Sequence, residues 1–563
     1  MRPATVSRLT MAVAALVCAL LALQPATARA ASYTKISGGG STWSSNALDQ
    51  WGRNVAANSG MTVNYSPVGS SVGREQFKNG TADFAVSEIP YGLTESGMRD
   101  APPKRGYAYM PIVAGGTAFM YNLRIGGRKV TNLRLSGEVI TKIFTGTLTM
   151  WNAPEIRADN PGLVLPARRI IPVVRSDGSG TTAQLTTWLA KEHGGLWDAY
   201  CRRAGRSTPC GMTSYFPVVP GSSTIAKSGS LGVSGYTKQG HAEGAITYVE
   251  YSYAIKTGFP VAKVLNASGY YVEPTASSVA VALMKARINE DKNSENYLTQ
   301  ILDGVYRSAD RRTYPLSSYS YMIVPTKAES PFTTAKGKTL GSFANYFLCE
   351  GQQQAEELGY SPLPKNLVEA GFTQVRRIPG APSADIDIKS CRNPTFSSDG
   401  SNTLARNAPY PKACDKRGTT QCADGTAGAK QQTRVNSGAD GGGSGGGTGG
   451  TGGTGAAGGK GGAGTAGASG GSTGTDGASG AAAGGGAASG AVDPDTGEPI
   501  EGSAGGGDAS VVGNPVTLAA GGSPGLRGVL MALSAVLLLG VVVGPPLTAR
   551  ALAARNRRKE GPR

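Results

Sequence analysis

The chain has 563 residues and 83 glycines, too long for one average domain and too rich in glycine to be globular throughout. Its formal net charge of +17 suits an anionic partner, whether nucleic acid, a cell-wall polymer or a small anion. The Lys and Arg residues are spread along the chain, with no basic run inside the part of globular texture, which argues against nucleic acid.

Residues 1–30 read as a secretory leader. Arg2 and Arg8 precede an apolar run from Met11 to Leu23, and ATARA (Ala26 to Ala30) offers a cleavage site after Ala30. Cys18 follows Val17, where a lipoprotein signal would want a small residue, so no lipid anchor is expected.

Residues 31–422 have mixed α/β texture. YTKIS, MTVNYSPV, DFAVS and RIIPVV are short β-branched or aromatic runs that suit strands. SSNALDQWGRNVAANSG places Ala47, Leu48, Trp51 and Val55 at helical spacing and stops at Asn58-Ser59-Gly60. TTAQLTTWLAKEHGG does the same with Leu185, Trp188 and Leu189.

Export permits disulfides among Cys201, Cys210, Cys349, Cys391, Cys414 and Cys422. Local loops suggest 201 with 210 and 414 with 422, which leaves 349 with 391. There is no C-x-x-C spacing, and His193 and His241 are the sole histidines, so neither a metal site nor a cofactor is expected.

From 423 to 525 the chain is almost all Gly, Ala, Ser, Thr and Asp. Such a segment cannot bury enough apolar surface to fold, and reads as a disordered tether with a reach on the order of 50–60 Å. GVLMALSAVLLLGVVVG (Gly528 to Gly544) is uncharged and just long enough to span a membrane, so one transmembrane helix is expected at 526–546. Arg550, Arg555, Arg557, Arg558 and Lys559 place the tail, 547–563, in the cytoplasm and the globular part outside. DPDTG (Asp493 to Gly497) is too far upstream, and wrong at its first position, for a sortase site.

The chemistry concentrates in loops. YTKIS runs into GGGSTW, MTVNYSPV into GSS, and RIIPVV into RSDGSG, and a helix follows each. In open α/β sheets ligands sit beyond the carboxyl ends of strands, where helix starts present free N–H groups and a dipole that favours anions. Any one such loop is ordinary capping. Their repetition, with Arg175 beside one of them, points to a small oxyanion held partly by a guanidinium fork. GGGST is not a P-loop, since no Lys precedes its hydroxyl residue. An esterase reading of Ser179 fails because Asp177 stands where a G-x-S-x-G elbow needs its first glycine. No catalytic residue is assigned and the chain is not expected to be an enzyme.

The segments GGGSTW, VNYSPVGSSVGREQFKNGTADFAVSEIP, ITKIFTGTLTMWNAPEIRADNPG, VVRSDGSGTT, EGAITYVEYSYA and TYPLSSYSYMIVP, in that order, resemble the phosphate-binding protein family of bacterial high-affinity phosphate ABC importers. The resemblance covers about residues 33–380 and implies a two-lobed type II periplasmic-binding-protein fold. The implied first lobe comprises 31–114 and 321–422, the latter with the disulfide-containing tail, and the second comprises 115–320. It further implies inorganic phosphate as ligand, permease subunits of an ABC importer as partners, and a monomer. Thr42 and Trp43 would supply N–H groups, Thr42 and Ser70 hydroxyls, Arg175 the pairing charge with Asp177 behind it, and Ser179, Gly180 and Thr181 the helix-start donors. Glu88 stands where the family commonly has Asp, as the acceptor of the phosphate's proton. A second reading is a non-transport surface protein, a phosphate sensor, scaffold or adhesin on the same fold. The Gly-, Ala- and Arg-rich style resembles high-GC actinobacteria.

Overall fold

A computed structural model describes residues 33–434, apart from 96–97, 295, 383–387, 389–390 and 398. The leader at 1–30, the linker beyond 434, the apolar segment at 526–546 and the tail at 547–563 lie outside the described residues. Among the described residues, no helix is long and apolar enough to cross a membrane.

The short β-branched runs fold as β1 (Ile36–Gly40), β2 (Val63–Ser66) and β3 (Phe84–Ser87). Two small strands, β4 (Thr94–Glu95) and β5 (Met98–Arg99), pair antiparallel. The frame continues with β6 (Tyr107–Tyr121), β7 (Ile171–Arg175), β8 (Ile225–Lys227), β9 (Ala245–Glu250) and β10 (Ser317–Pro325). The helices that matter for the site are α1 (Ser45–Ser59), α2 (Ser70–Lys78), α3 (Gly180–Glu192) and α4 (Gly229–Thr237).

Apart from β4 and β5, which form a sheet of their own, one sheet carries these strands in the order β8-β7-β9-β6-β10-β3-β1-β2. Each end is a parallel trio: β1 pairs with β2 and β3, and β7 pairs with β8 and β9. Parallel neighbours need crossover connections, which helices such as α1 and α4 supply. The middle is antiparallel. β6 pairs with β10 from Tyr107 to Gly116 and with β9 from Thr117 to Tyr121. A single strand therefore serves both halves of the sheet.

The apolar side chains divide in the same way. Trp51, Phe77, Phe84, Met110, Phe343 and Phe347 belong to one core, and Phe119, Ile140, Trp151, Leu185, Trp197 and Tyr248 to another. Burying each such side chain contributes about 1.5–3 kcal/mol. The result is a two-lobed α/β body. The first lobe surrounds β2-β1-β3 and the second surrounds β8-β7-β9. Where β6 changes partner, Gly115 permits a close approach, since a Cβ there would lie 2.9 Å from the Trp43 ring.

Glu250 ends β9 beside this crossing and is fully buried. Its Oε2 accepts the Ser252 N–H at 2.7 Å, and its Oε1 has no partner among the described residues. Burial pushes the carboxyl well above its ordinary range, against the opposing hydrogen bonds from Ser252. A raised folded-state pKa makes the stability contribution full below the unfolded value and lost as pH rises through the folded one. Thermal unfolding should therefore show a Tm that falls as pH rises above the ordinary carboxyl range. Glu250→Gln should flatten that fall by a few degrees, leaving the slope due to Glu88 and Asp49, whose pKa values are also raised by burial. An unchanged slope would contradict this.

Disulfides join Cys201 to Cys210, Cys349 to Cys391 and Cys414 to Cys422. The last of these sits on the second lobe, where buried Arg134 donates to the carbonyls of Cys414 at 2.9 Å and Thr419 at 2.7 Å. The folded body does not stop at 422. Thr426 Oγ1 donates to Val261 O at 2.6 Å, Gly428 N–H donates to Phe259 O at 3.2 Å, and Thr131 N–H donates to Thr433 Oγ1 at 2.9 Å. Residues 423–434 are thus fastened to the second lobe instead of belonging to a tether. Backbone and hydroxyl groups hold them, which apolar patterning cannot reveal.

Candidate anion-binding site

β1, β2, β7 and β8 each run into a short loop that ends on Ser44, Gly69, Ser179 and Ser228 respectively, and α1, α2, α3 and α4 follow in turn. The structure sets the loops of the two lobes face to face. Ser71 N–H donates to Gly178 O at 3.1 Å, Gly180 N–H to Ser70 Oγ at 3.1 Å, and Ser230 N–H to Thr42 Oγ1 at 3.2 Å. Several helix starts therefore converge on one cleft, each adding partial positive charge.

Arg175 closes β7 with its side chain 2% exposed. Its Nε donates to Asp177 Oδ1 at 2.7 Å, and its Nη2 donates to Asp177 Oδ2. Nη1 faces the Ser230 hydroxyl at 3.4 Å. Asp177 also accepts the Gly229 N–H at 2.9 Å. Burial works to raise the Asp177 carboxyl, but the hydrogen bonds and charge of Arg175 outweigh it and hold the pKa below the usual carboxylate range. The lowered carboxyl keeps Asp177 an acceptor at neutral pH, and the guanidinium is fixed to it on one edge with Nη1 left facing Ser230.

Glu88 follows β3 on the opposite wall and is buried. Its Oε2 accepts hydrogen bonds from Ser41 Oγ at 2.8 Å and Ser70 Oγ at 3.0 Å, and its Oε1 accepts one from Ser320 Oγ. Burial raises its pKa, and the Ser320, Ser41 and Ser70 hydroxyls limit the rise. Gly180 makes the room, because a Cβ there would lie 1.8 Å from Glu88 Oε2. A cationic fork on one wall and an acceptor-only carboxylate on the other suit an oxyanion that still carries a proton.

Of the residues singled out from the sequence, Thr42, Ser70, Glu88, Arg175, Asp177 and Gly180 meet in this network. Trp43 lies in the first core, and its N–H donates to Ser41 Oγ at 3.0 Å. Ser179 caps α3: its Oγ accepts the Thr182 N–H at 3.2 Å. Thr181 has a hydroxyl that is buried without a hydrogen-bond partner among the described residues. Ser41, Ser230 and Ser320 join the network although the sequence reading did not single them out. Ser41 stood within the first loop. Ser230 opens a fourth strand–loop–helix unit, hidden because β8 has only three residues. Ser320 lies inside β10 and carries no local signal.

A family model described as a PBP superfamily domain matches residues 25–350. The chain is 30% identical over 345 residues to the phosphate-binding protein PstS of Xylella fastidiosa (strain Temecula1), covering 61% of this chain and 86% of that protein. It is 31% identical over 332 residues to the phosphate-binding protein PstS 2 of Mycobacterium tuberculosis, covering 58% of this chain and 82% of that protein. Among solved structures, a high affinity periplasmic phosphate-binding protein bound with phosphate aligns over 63% of this chain and 100% of its own, at 19% identity and a TM-score of 0.45.

Proposed function

The chain belongs to the PBP superfamily and, within it, to the PstS family of phosphate-binding proteins, and we propose that it captures inorganic phosphate between its lobes for delivery to an ABC importer. Arg175 Nη1, the hydroxyls of Thr42, Ser70 and Thr181 and the N–H groups of Thr42 and Thr181 hold the anion, while the N–H groups of Trp43, Ser179 and Gly180 are engaged by Ser41, Ser214 and Ser70 and line the site behind it. Glu88 accepts the hydrogen bond of the phosphate's own proton, and Asp177 keeps the Arg175 fork in place. Capture and release need no bond chemistry, in keeping with a Ser179 hydroxyl engaged in a helix cap.

The Thr181 hydroxyl carries this reading. A buried polar group left unmatched costs about 1–3 kcal/mol, and an oxyanion against Arg175 and the start of α3 would match it. Isothermal titration of the purified full-length chain should give phosphate binding with sulfate rejected. No phosphate binding, or equal sulfate binding, would overturn the proposal. Thr181→Val should weaken phosphate binding by about 1–2 kcal/mol, roughly tenfold, with Tm unchanged or raised. A fall in Tm with affinity retained would place the hydroxyl in the fold and not in the site.

The same proposal puts the folded body outside the cell, joined by the Gly-rich linker to one membrane helix at 526–546 with the tail in the cytoplasm. The uncharged run Gly528 to Gly544 and the basic residues after it support this. A chain truncated before 526 should appear in the medium. Its retention in the membrane would refute the anchor.

A further inference from the structure

Outside the anion cleft, one carboxylate crosses between the lobes. Glu95 ends β4, and its base is secured to the first lobe. Gly92 N–H donates to Asp100 O at 2.7 Å, and Asp100 N–H donates to Leu93 O at 2.9 Å. Asp100 is ion-paired at 2.9 Å with Arg74 of α2, the helix that begins at Ser70. From this base Glu95 reaches the second-lobe loop 213–215. Its Oε1 accepts the Ser214 N–H at 2.6 Å, the Tyr215 N–H at 3.0 Å and the Thr213 hydroxyl, and its Oε2 accepts the Ser214 hydroxyl at 2.5 Å. Four donors of three consecutive residues thus turn towards a carboxylate that their own lobe does not supply.

The loop they belong to is part of the site's foundation. Ser214 O accepts the Ser179 N–H at 3.0 Å, and Ser214 Oγ lies 3.3 Å from Ser71 Oγ. Thr213 N–H donates to Thr186 Oγ1 of α3 at 3.0 Å. On its outer side the loop is fixed by the carbonyl of Gly211 accepting the Trp197 Nε1–H at 2.9 Å and by the nearby Cys201–Cys210 disulfide. A rigid loop therefore presents one set of donors to Glu95 while its carbonyl holds the loop at the start of α3.

We infer that Glu95 is a positioning residue that holds the lobes in register across the cleft and sets how long a bound anion stays. This rests on the proposed capture of phosphate. Hydrogen bonds to an ionised acceptor are about twice as strong as neutral ones. Hinge closure is the usual motion of two-lobed binding proteins. A contact made only when the lobes meet is absent during encounter and must break before release. It therefore acts on the dissociation rate and leaves the association rate alone. Glu95 touches no group that reads the anion, so the preference between anions does not depend on it.

The test is stopped-flow mixing of the full-length protein and of Glu95→Gln with phosphate and with sulfate, followed by tryptophan fluorescence. Glu95→Gln keeps the shape of the side chain but turns an amide NH2 towards donors. The dissociation rate of phosphate should rise about tenfold or more, with the association rate within about twofold and the phosphate preference over sulfate unchanged. An unchanged dissociation rate, an equal loss in association, or a shift towards sulfate would overturn the inference. Amide exchange gives a readout independent of affinity, because the unliganded lobes also meet in brief closures. The Ser214 and Tyr215 N–H groups should be partly protected in the unliganded native protein, more so with phosphate, and should lose that protection in Glu95→Gln. Equal protection would overturn the inference even if the native protein gave no phosphate signal, an outcome that by itself would refute only the proposed ligand.

Discussion

Replacing Arg175 with alanine is expected to remove phosphate binding from the measurable range, a loss of at least about 3 kcal/mol or over a hundredfold in Kd. The size follows from burial and from the lack of a substitute. The guanidinium is shielded from water and committed to Asp177 through Nε and Nη2, so that Nη1 is aimed at Ser230 and the cleft. Without it, an anion in the cleft would face the Asp177 and Glu88 carboxylates with helix starts alone to oppose them. Arg175→Lys should fail almost as badly. One ammonium cannot bind both Asp177 oxygens and also direct a donor inward. Isothermal titration reads the affinity, and thermal unfolding separates it from damage to the fold. Retained affinity in Arg175→Ala with a normal Tm would place the anion elsewhere.

The second large effect is expected at Glu88, on selectivity more than on affinity. Sulfate carries no proton at neutral pH, so the buried carboxylate repels it, and juxtaposed like charges cost several kcal/mol. Glu88→Gln should reduce the preference for phosphate over sulfate by about a hundredfold, roughly 3 kcal/mol. The pH dependence has a definite sign. Burial raises the pKa of Glu88, so acidification protonates it earlier than an ordinary carboxyl. Sulfate binding by the native protein should strengthen as pH falls through that raised pKa, while Glu88→Gln should show no such rise. Competition titrations across pH read both results. An unaltered anion preference in Glu88→Gln would remove the carboxylate from selectivity. The arm of Glu88 brings its carboxylate onto the Ser41, Ser70 and Ser320 hydroxyls themselves. At the proposed site, phosphate would share Ser70 with a resident acceptor.

Much of this site could be read in the sequence because its units are local. A strand, a Gly/Ser loop and a helix lie within some twenty residues, and the loops before α1, α2 and α3 announced themselves. The loop before α4 did not, because Ile225–Lys227 is too short to show an alternating pattern. Other parts depend on pairings that no window of sequence contains. Ser320 meets Glu88 only because β10 lies beside β3 in the sheet. Glu95 meets Ser214 across two lobes, at a separation of 119 residues. The ordered stretch after Cys422 was hidden for another reason. Its threonines and glycines resemble the linker that follows, and only the hydrogen bonds to Val261, Phe259 and Thr131 distinguish it.

That stretch has a mechanical consequence. The chain passes over both lobes yet leaves the folded body from the second, fastened there through the Cys414–Cys422 loop and through Thr426 and Gly428. A pull applied through residues beyond 434 enters the second lobe at Val261 and bypasses the Glu95 contact. The first lobe is then the free jaw and the second the handle. With residues beyond 434 acting as the proposed tether, opening and closing of the cleft would not drag it, and tension on it would not pry the cleft apart.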